Sequence, residues 1–157
     1  MGLVTDARDA SRRLTLHRTW ITGDGSGHKA SVDRPRLLLA GHGKAGGVIR
    51  LWPNDDTTLG LGLAEGIETA LTLARAFRPV WAAIDAGNLK AFPYLYPLET
   101  LTVAVDHDRA GIEAFEAIKP TWLDGASAHG VFGEVRRVFN PRPGEDLNDW
   151  ARSVDAH

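Results

Sequence analysis

The feature that most limits the fold is a short apolar segment that ends abruptly in acidic residues. Residues 101–105 read LTVAV and are followed at once by DHD at 106–108. A strand that is almost wholly apolar is typical of a parallel sheet that is covered on both sides. Residues 59–64 form a second apolar run, which ends in Glu65. Active sites of open α/β sheets lie at the carboxyl ends of such strands.

The chain after residue 55 alternates between predicted strands and predicted helices. Strands are predicted at 59–64, 80–84, 101–105 and 133–139, helices at 67–77, 109–122 and 146–153, and a helical turn near 88–92. Pro120 should end or kink its helix because proline lacks an N–H donor. Residues 125–130 are expected to be a loop. The alternation predicts an α/β fold with a mostly parallel four-stranded sheet flanked by helices.

The front of the chain has a different pattern. Glycine-rich segments at 23–27 and 41–47 separate three predicted strands, at 14–21, 36–40 and 48–52. Residues 5–13 are polar, which predicts a short helix or a frayed lead-in. We therefore expect a small antiparallel β subdomain over 1–54, followed by the α/β domain over 55–157.

The net charge of the chain changes sign at the same boundary, after residue 54. Residues 1–54 hold nine basic and four acidic residues, a net charge of +5, whereas 55–157 carry −7. A basic front and an acidic back suggest phosphate attraction in one part and cation binding in the other. Uneven charge also arises by chance in a chain of 157 residues, so the asymmetry does not decide the function.

Several classes of protein are excluded by composition. The chain has no cysteine, which rules out disulfides and thiolate zinc sites and fits a reducing cytoplasm, where we expect the protein. No apolar run approaches the roughly 18 residues that span a bilayer. The first residues carry charges of both signs and do not predict a secretory signal.

The acidic residues after the predicted strands are the candidate site. Glu65, Asp106 and Asp108 follow two of these strands, and Asp146 lies in a third acidic segment. Clustered carboxylates repel one another, and a hard cation such as Mg²⁺ relieves this repulsion through oxygen ligands. The alternative is that Asp108 or Asp146 caps a helix, a role that aspartate fills well.

Taken together, these segments resemble the Toprim domain. The apolar strand ending in Glu-Gly at 63–70 (LAEGIETA) is similar to the first Toprim motif, and 103–111 (VAVDHDRAG) to the second. Residues 144–149 (GEDLND) resemble the late acidic loop, and 83–89 the segment between the first two motifs. Each motif alone is weak, but their order and spacing over 60–152 are specific.

Within that family the resemblance is closest to phage- and plasmid-type primases and primase–helicases. The segments at 16–20, 24–27, 34–36 and 46–51 are similar to those that precede Toprim in such proteins. Toprim topoisomerases usually place a third Asp where this chain has Ala110, and neither Tyr94 nor Tyr96 has the context of a nucleophile. Both observations argue against a topoisomerase.

The resemblance implies roles for particular residues. Asp106 and Asp108 would ligate Mg²⁺ or Mn²⁺ with Asp146, directly or through water, and Glu65 would bind metal or act as general acid/base. Candidate phosphate contacts, each of which could equally be solvated surface, are Arg18, Lys29, Arg34, Arg36, Lys44, Arg50 and Arg109. His107, between the two acids, is an alternative ligand, although strand alternation favours its pointing away from the Asp pair. The five tryptophans are predicted to pack in the core rather than to stack on bases.

Three functions remain open from the sequence. The first is a primase-type nucleotidyltransferase that makes RNA primers in DNA replication of a mobile element. Its partners would be DNA, RNA, nucleotides and a helicase or other replication proteins, with no membrane. The second is a Toprim nuclease. The third is a non-catalytic metal- or nucleic-acid-binding module, or a fragment of a larger replication protein. The sequence shows no cysteine zinc domain and no Walker loop, which counts against the first function.

Overall fold

Eight strands form a single mixed sheet in the part of the chain that the computed structural model describes, residues 1–26, 28–139, 142–145 and 147–155. The strands are β1 (Gly2–Asp6), β2 (Arg13–Thr19), β3 (Arg36–Leu38), β4 (Gly47–Arg50), β5 (Gly60–Ala64), β6 (Val80–Ala82), β7 (Thr100–Ala104) and β8 (Glu134–Val138). Their order in the sheet is β3-β2-β1-β4-β6-β5-β7-β8. The predicted α/β class is confirmed.

The helices follow the strands of the second half. They are α1 (Ile67–Leu73), α2 (Ala86–Lys90), α3 (Arg109–Ala128) and α4 (Leu147–Asp155). A single 3-10 turn at Asn54–Asp56 separates the two halves of the chain. No helix in the described ranges is both long enough and apolar enough to cross a bilayer.

The two halves of the sheet differ in strand direction. Strands β5 to β8 are mutually parallel, as the alternation predicted, and β1 to β4 are antiparallel. The halves are joined because β4 pairs antiparallel with β6, with Ile49 opposite Ala82 and Arg50 opposite Trp81. The basic front therefore extends the sheet of the α/β core. A domain boundary at residue 54 stays a prediction.

Helices cover both faces of the parallel half. On one face, α2 and α3 pack on Leu61, Leu63 and Val103, with Trp81 and Trp122 at the centre. On the other face, α1 and α4 pack on small residues of the sheet. A side chain at Gly62 would lie 2.8 Å from Val80 Cγ2 and 3.2 Å from Leu73 Cδ2, so α1 sits close to the backbone of β5. Burial on both faces explains the apolar strands.

The polar lead-in predicted over 5–13 is wrong. Residues 2–6 form β1, which pairs with β2 on one side and β4 on the other, and pairing on both edges overrides the local polarity. The remaining residues form a turn rather than a helix. The Asp6 carboxylate accepts the backbone N–H of Arg8 at 2.9 Å, a local bond by which aspartate favours turns.

The end of α3 was also predicted wrongly. The helix runs through Pro120 to Ala128, so 125–130 is not a loop throughout. Ile118, Trp122 and Ala126 recur every four residues and are fully buried, whereas Pro120 lies on the exposed side. A helical proline costs on the order of 3 kcal/mol. Burial of a large side chain such as Trp122 offsets a comparable amount.

Helix α1 is shorter than predicted, ending at Leu73 instead of residue 77. Phe77 keeps one helical bond, from its N–H to the Leu73 carbonyl at 2.9 Å. Its ring packs beside Gly62.

Gly125 provides a test of the packing of α3. A Cβ there would lie 2.4 Å from Tyr94 Cβ, although alanine in place of glycine ordinarily stabilises a helix by about 1 kcal/mol. We expect Gly125→Ala to lower the free energy of unfolding by about 1–3 kcal/mol. Urea denaturation measures the change, with the exposed Ser127→Ala in the same helix as the control. A stabilised Gly125→Ala variant would contradict the described packing.

Candidate carboxylate site

The parallel pairing of three central strands brings their carboxyl ends to one edge of the sheet. Ala64, at the end of β5, is in register with Ala82 of β6 on one side and Ala104 of β7 on the other. The residues that follow these three alanines therefore leave the sheet side by side. Among them are Glu65, directly after β5, and Asp106, two residues beyond β7.

Glu65 lies at the centre of the acidic group. Burial raises the pKa of its carboxyl, and the neighbouring carboxylates of Asp106, Asp85 and Asp108 raise that pKa further, in that order. The guanidinium of Arg36 acts in the opposite direction. The structure thus brings together the three predicted residues of this edge, and it adds Asp85, which the sequence analysis did not single out.

Asp108 performs the capping role that was the alternative from the sequence. Its carboxylate accepts the backbone N–H of Gly111 at 2.8 Å and caps α3. The capping turn is tight, since a Cβ at Gly111 would lie 2.3 Å from the Asp106 carbonyl oxygen. Glycine at 111 therefore allows Asp106 and Asp108 to share one turn. His107 packs edge-on against Phe139, with ring centroids 4.9 Å apart.

The position of Asp85 depends on an unusual backbone conformation at the preceding residue. The preceding residue, Ile84, has a φ of +80°, which costs a β-branched residue on the order of 1–3 kcal/mol. Asp85 caps α2 by accepting the Asn88 N–H at 3.0 Å, and it forms an ion pair with Lys44. Burial would raise the pKa of Asp85, but the hydrogen bonds from Lys44 and Asn88 outweigh burial and lower it. Its position after a central strand was the sequence signal that could have identified it.

Some of the predicted phosphate contacts lie beside this edge. Arg36 Nη2 is 2.8 Å from Glu68 Oε1, and Lys29 Nζ is 3.8 Å from the same oxygen. Burial would raise the pKa of Glu68, but a backbone hydrogen bond and the hydrogen bond from Arg36 hold it below its usual value. Three cations therefore lie near the acidic group: Lys29 and Arg36, which contact Glu68, and Lys44, which pairs with Asp85.

The remaining predicted contacts lie elsewhere. Arg50 stacks over Trp81 at 4.4 Å and donates to the carbonyls of Asp6 and Ala7, so it supports the junction between the two halves of the sheet. Arg18 lies over Trp20. Two more contacts are exposed and paired locally, Arg34 with Asp33 and Arg109 with Glu113.

The tryptophans divide into core and surface. Trp81 and Trp122 are buried in the core, as expected, while Trp20 and Trp150 are 39% and 42% exposed. Trp52 is half-buried. The ring of Trp150, and the face of Trp20 that Arg18 does not cover, are exposed enough for stacking with a base.

The donors at this edge fit a hard cation. They are carboxylate oxygens, and the charges of Asp106, Asp85 and Asp108 raise the pKa of Glu65. No group of three or more acidic or histidine side chains in the described ranges is arranged to hold a metal ion. Mg²⁺ needs only one or two carboxylates because it keeps several waters. Glu65 and Asp106 would supply these, and Asp146 lies outside the described residues.

Gly111 tests whether the capping turn depends on glycine. We expect Gly111→Ala to lower the free energy of unfolding by about 1–3 kcal/mol through the clash with the Asp106 carbonyl. Thermal denaturation of this variant is compared with that of Gly43→Ala, because a Cβ at Gly43 would have no neighbour within 4 Å. Equal melting temperatures for the two variants would rule out the tight turn.

The Glu68–Arg36 pair predicts a pH dependence of stability. The folded-state pKa of Glu68 lies below its ordinary value of 4.5, so the ionised carboxylate stabilises the protein above that pH. This contribution is lost as the pH falls through the folded-state pKa. Wild type should therefore exceed Glu68→Gln in melting temperature at pH 7, and the gap should narrow progressively as the pH falls below 4.5. Glu116→Gln, on the exposed side of α3, is the control, and a gap that persists in acid would refute the assignment.

Comparison with known proteins agrees with the geometry. The sheet is similar to the Aquifex aeolicus primase (zinc binding and RNA polymerase domains), with a TM-score of 0.57 and 18% identity over 96% of this chain and 36% of that chain. A DNA primase domain from Pseudomonas aeruginosa gives a TM-score of 0.55 and 21% identity over 95% of this chain and 46% of that chain. The chain thus spans less than half the length of either.

At these identities the two structures establish a shared fold. Among curated protein sequences no match was found. The family model for the Toprim domain matches residues 60–156, which include Glu65, Asp106 and Asp108. The chain therefore belongs to the Toprim family.

Proposed function

We propose that this protein carries out metal-dependent phosphoryl transfer on nucleic acid, and that its reaction is primase-like: the joining of nucleotides into short RNA on a DNA template. One observation carries the proposal. Glu65 shares a partly buried edge of the sheet with three further carboxylates, which raise its pKa. The neighbouring lysines and arginine leave the pKa of Glu65 raised, and a bound metal cation would relieve the remaining repulsion. Mg²⁺ is the expected ion, with Mn²⁺ as its substitute.

Individual residues of the carboxylate edge would have separate roles in this reaction. Glu65 and Asp106 would hold the ion, and Asp108 would fix the turn by capping α3. A bound ion would neutralise charge that develops on the transferred phosphate. The alternative role of Glu65 is that of a general acid/base: if it does not bind the ion itself, its raised pKa suits it to exchange a proton with the reacting group. Arg36, whose charge acts on Glu65, would attract the phosphates of the substrate.

The shape of the whole chain supports the primase branch. Both structural neighbours are described as primases, and each aligns with at least 95% of this chain, so the similarity includes the basic front. Pairing of β4 with β6 fixes that front beside the carboxylates. DNA, RNA and nucleotides are the proposed substrates, a replicative helicase is a proposed partner, and the cytoplasm is the proposed location.

The proposal is tested by incubating the protein with single-stranded DNA, NTPs and Mg²⁺ or Mn²⁺. We expect short RNA products, and a loss of roughly 100-fold or more in Glu65→Gln and Asp106→Asn, since changing even an outer-shell partner of a metal ligand costs 10–100-fold. Both variants should still bind DNA in EDTA. Asp124→Asn, on the exposed side of α3, should keep full activity.

Other outcomes point to the alternatives. Shortened DNA without RNA products would identify a nuclease that uses the same carboxylates. Neither product, together with unchanged DNA binding in Asp106→Asn, would identify a non-catalytic binding module. If isothermal titration detects no Mn²⁺ binding at millimolar concentration, the metal site itself is refuted.

A further inference from the structure

A cleft of about 430 Å³ lies at the end of the sheet opposite the carboxylates. Its walls come from both halves of the chain and include Arg8, Asn54, Trp81 and residues 94–98. The 3-10 turn precedes β5 and residues 94–98 precede β7, whereas Glu65 and Asp106 follow these strands. Strand β5 has five residues and is therefore roughly 15 Å long. A ligand in the cleft is separated from the proposed metal site by that length.

Aromatic rings line much of the cleft, and neighbouring rings hold them in place. Trp81 is only 1% exposed, so its ring lies at the bottom. Tyr94 packs edge-on against Trp122, with ring centroids 5.0 Å apart. Tyr96 stacks on His129 at 5.6 Å and is nevertheless 67% exposed. Tyrosine and tryptophan provide large, rigid contact areas at a low cost in conformational entropy, which favours the binding of a ligand.

Two side chains of the cleft offer hydrogen-bond donors to a ligand. The Tyr94 hydroxyl is buried and has no hydrogen-bond partner among the residues that the structure describes. Burial raises the pKa of this phenol, and the nearby Tyr96 and Glu99 raise it further, so the hydroxyl keeps its proton at neutral pH. Asn54 Oδ1 accepts from Arg50 Nε at 2.7 Å, and its Nδ2 group remains to donate. A ligand with carbonyl oxygens would satisfy both donors and relieve the cost of an unpaired buried hydroxyl.

The charges around the cleft favour a basic ligand over nucleic acid. Asp55 and Asp56 lie in the 3-10 turn that contributes to the wall, and Glu99 directly follows the segment at 94–98. These three exposed carboxylates are here called the acidic rim. Arg8 supplies a positive charge among the lining residues. The excess of negative charge repels phosphate groups and attracts lysine or arginine.

From these observations we propose that the cleft binds a proline-rich segment of a partner protein, with a basic residue beside the prolines. The polyproline II backbone has no internal hydrogen bonds, so its carbonyl oxygens are free to accept from Tyr94 and Asn54. Its proline rings pack on the aromatic walls, a known mode of peptide recognition, and the basic residue meets the acidic rim. Because the Tyr94 hydroxyl is covered in the free protein, binding shifts the exposed Tyr96 enough to uncover it.

The experiment measures binding of a fluorescein-labelled peptide of consecutive prolines that ends in two arginines, by fluorescence anisotropy. Tyr94→Phe should weaken binding by about three- to ten-fold, the loss expected for one hydrogen bond. It should not lower the melting temperature, because the hydroxyl has no partner within the described ranges. Tyr96→Ala should weaken binding through loss of the ring. Tyr96→Phe keeps that ring and is the matched control, which should bind like wild type.

Two further peptides test the chemistry of the ligand. A peptide in which glutamates replace the arginines should bind more weakly than the basic peptide, and the difference should shrink in Glu99→Gln and at high salt. Glu116→Gln, an exposed carboxylate of α3, is the control and should retain the full difference. A peptide with alanines in place of the prolines should not bind, because it lacks the preformed extended backbone.

Several results would overturn the inference. One is a failure of wild type to bind the basic proline peptide at millimolar concentration, and another is binding that Tyr94→Phe and Tyr96→Ala leave unchanged. Displacement of the peptide by single-stranded DNA would assign the cleft to nucleic acid instead. A wild-type dimer that Tyr96→Ala dissociates, as measured by sedimentation, would assign it to a second copy of the chain.

The inference and the proposed function are tested separately. The cleft lies at the opposite end of β5 from Glu65, so Tyr94→Phe and Tyr96→Ala should make RNA and bind DNA as wild type does. If wild type makes no RNA but binds the proline peptide through Tyr94, the proposed function fails and the docking cleft stands. If RNA is made and no peptide binds, only the docking cleft is wrong.

Discussion

The alignment of β5 between β6 and β7 is the constraint on which the site depends. The three strands run parallel, and Ala64 is paired in register with Ala82 and Ala104. The carboxyl ends of the strands therefore lie at the same level of the sheet. Two carboxylates, Glu65 and Asp106, then leave the sheet together, and their mutual repulsion follows from the alignment. Neither residue contributes to the core. The stability of the apolar strands holds these like charges side by side.

The antiparallel half adds cations to the same edge through a single pair of strands. Pairing of β4 with β6 continues the ladder, and Arg50 reinforces the junction by bonding to the turn after β1 and stacking on Trp81. An arginine predicted to contact phosphate thus supports the framework. Lys44 and Arg36 are the cations of the antiparallel half that lie beside the carboxylates.

Much of this arrangement could be predicted from the sequence because it depends on local patterns. Apolar strands that end in Glu65 and in Asp106-His107-Asp108 identified both the parallel sheet and its acidic edge. The predictions that were wrong concern elements whose conformation depends on residues distant in the sequence. Strand β1 is polar in part and is stabilised by two neighbouring strands, and α3 continues past Pro120 because Trp122 is buried.

Asp85 was missed for a related reason. Its segment, residues 83–89, resembled a connection between motifs, and its partner Lys44 is 41 residues away in the chain. No periodicity links the two residues, and the φ of Ile84 cannot be inferred from an isoleucine. Sequence patterns locate residues at the ends of strands, but they do not show which loops fold back to meet them.

The short helix α2 has a consequence for how the carboxylate edge responds to motion. Asp85, at its start, contacts the ammonium end of Lys44, and Asn88, within the first turn, holds the backbone end. One helical turn advances about 5.4 Å, so residues at the start of one short helix contact both ends of the Lys44 side chain. A shift of α2 against the sheet would carry the lysine, its carboxylate partner and its backbone support together. Thermal flexing would then change the distance from Lys44 to Glu65 more than the distance from Lys44 to Asp85.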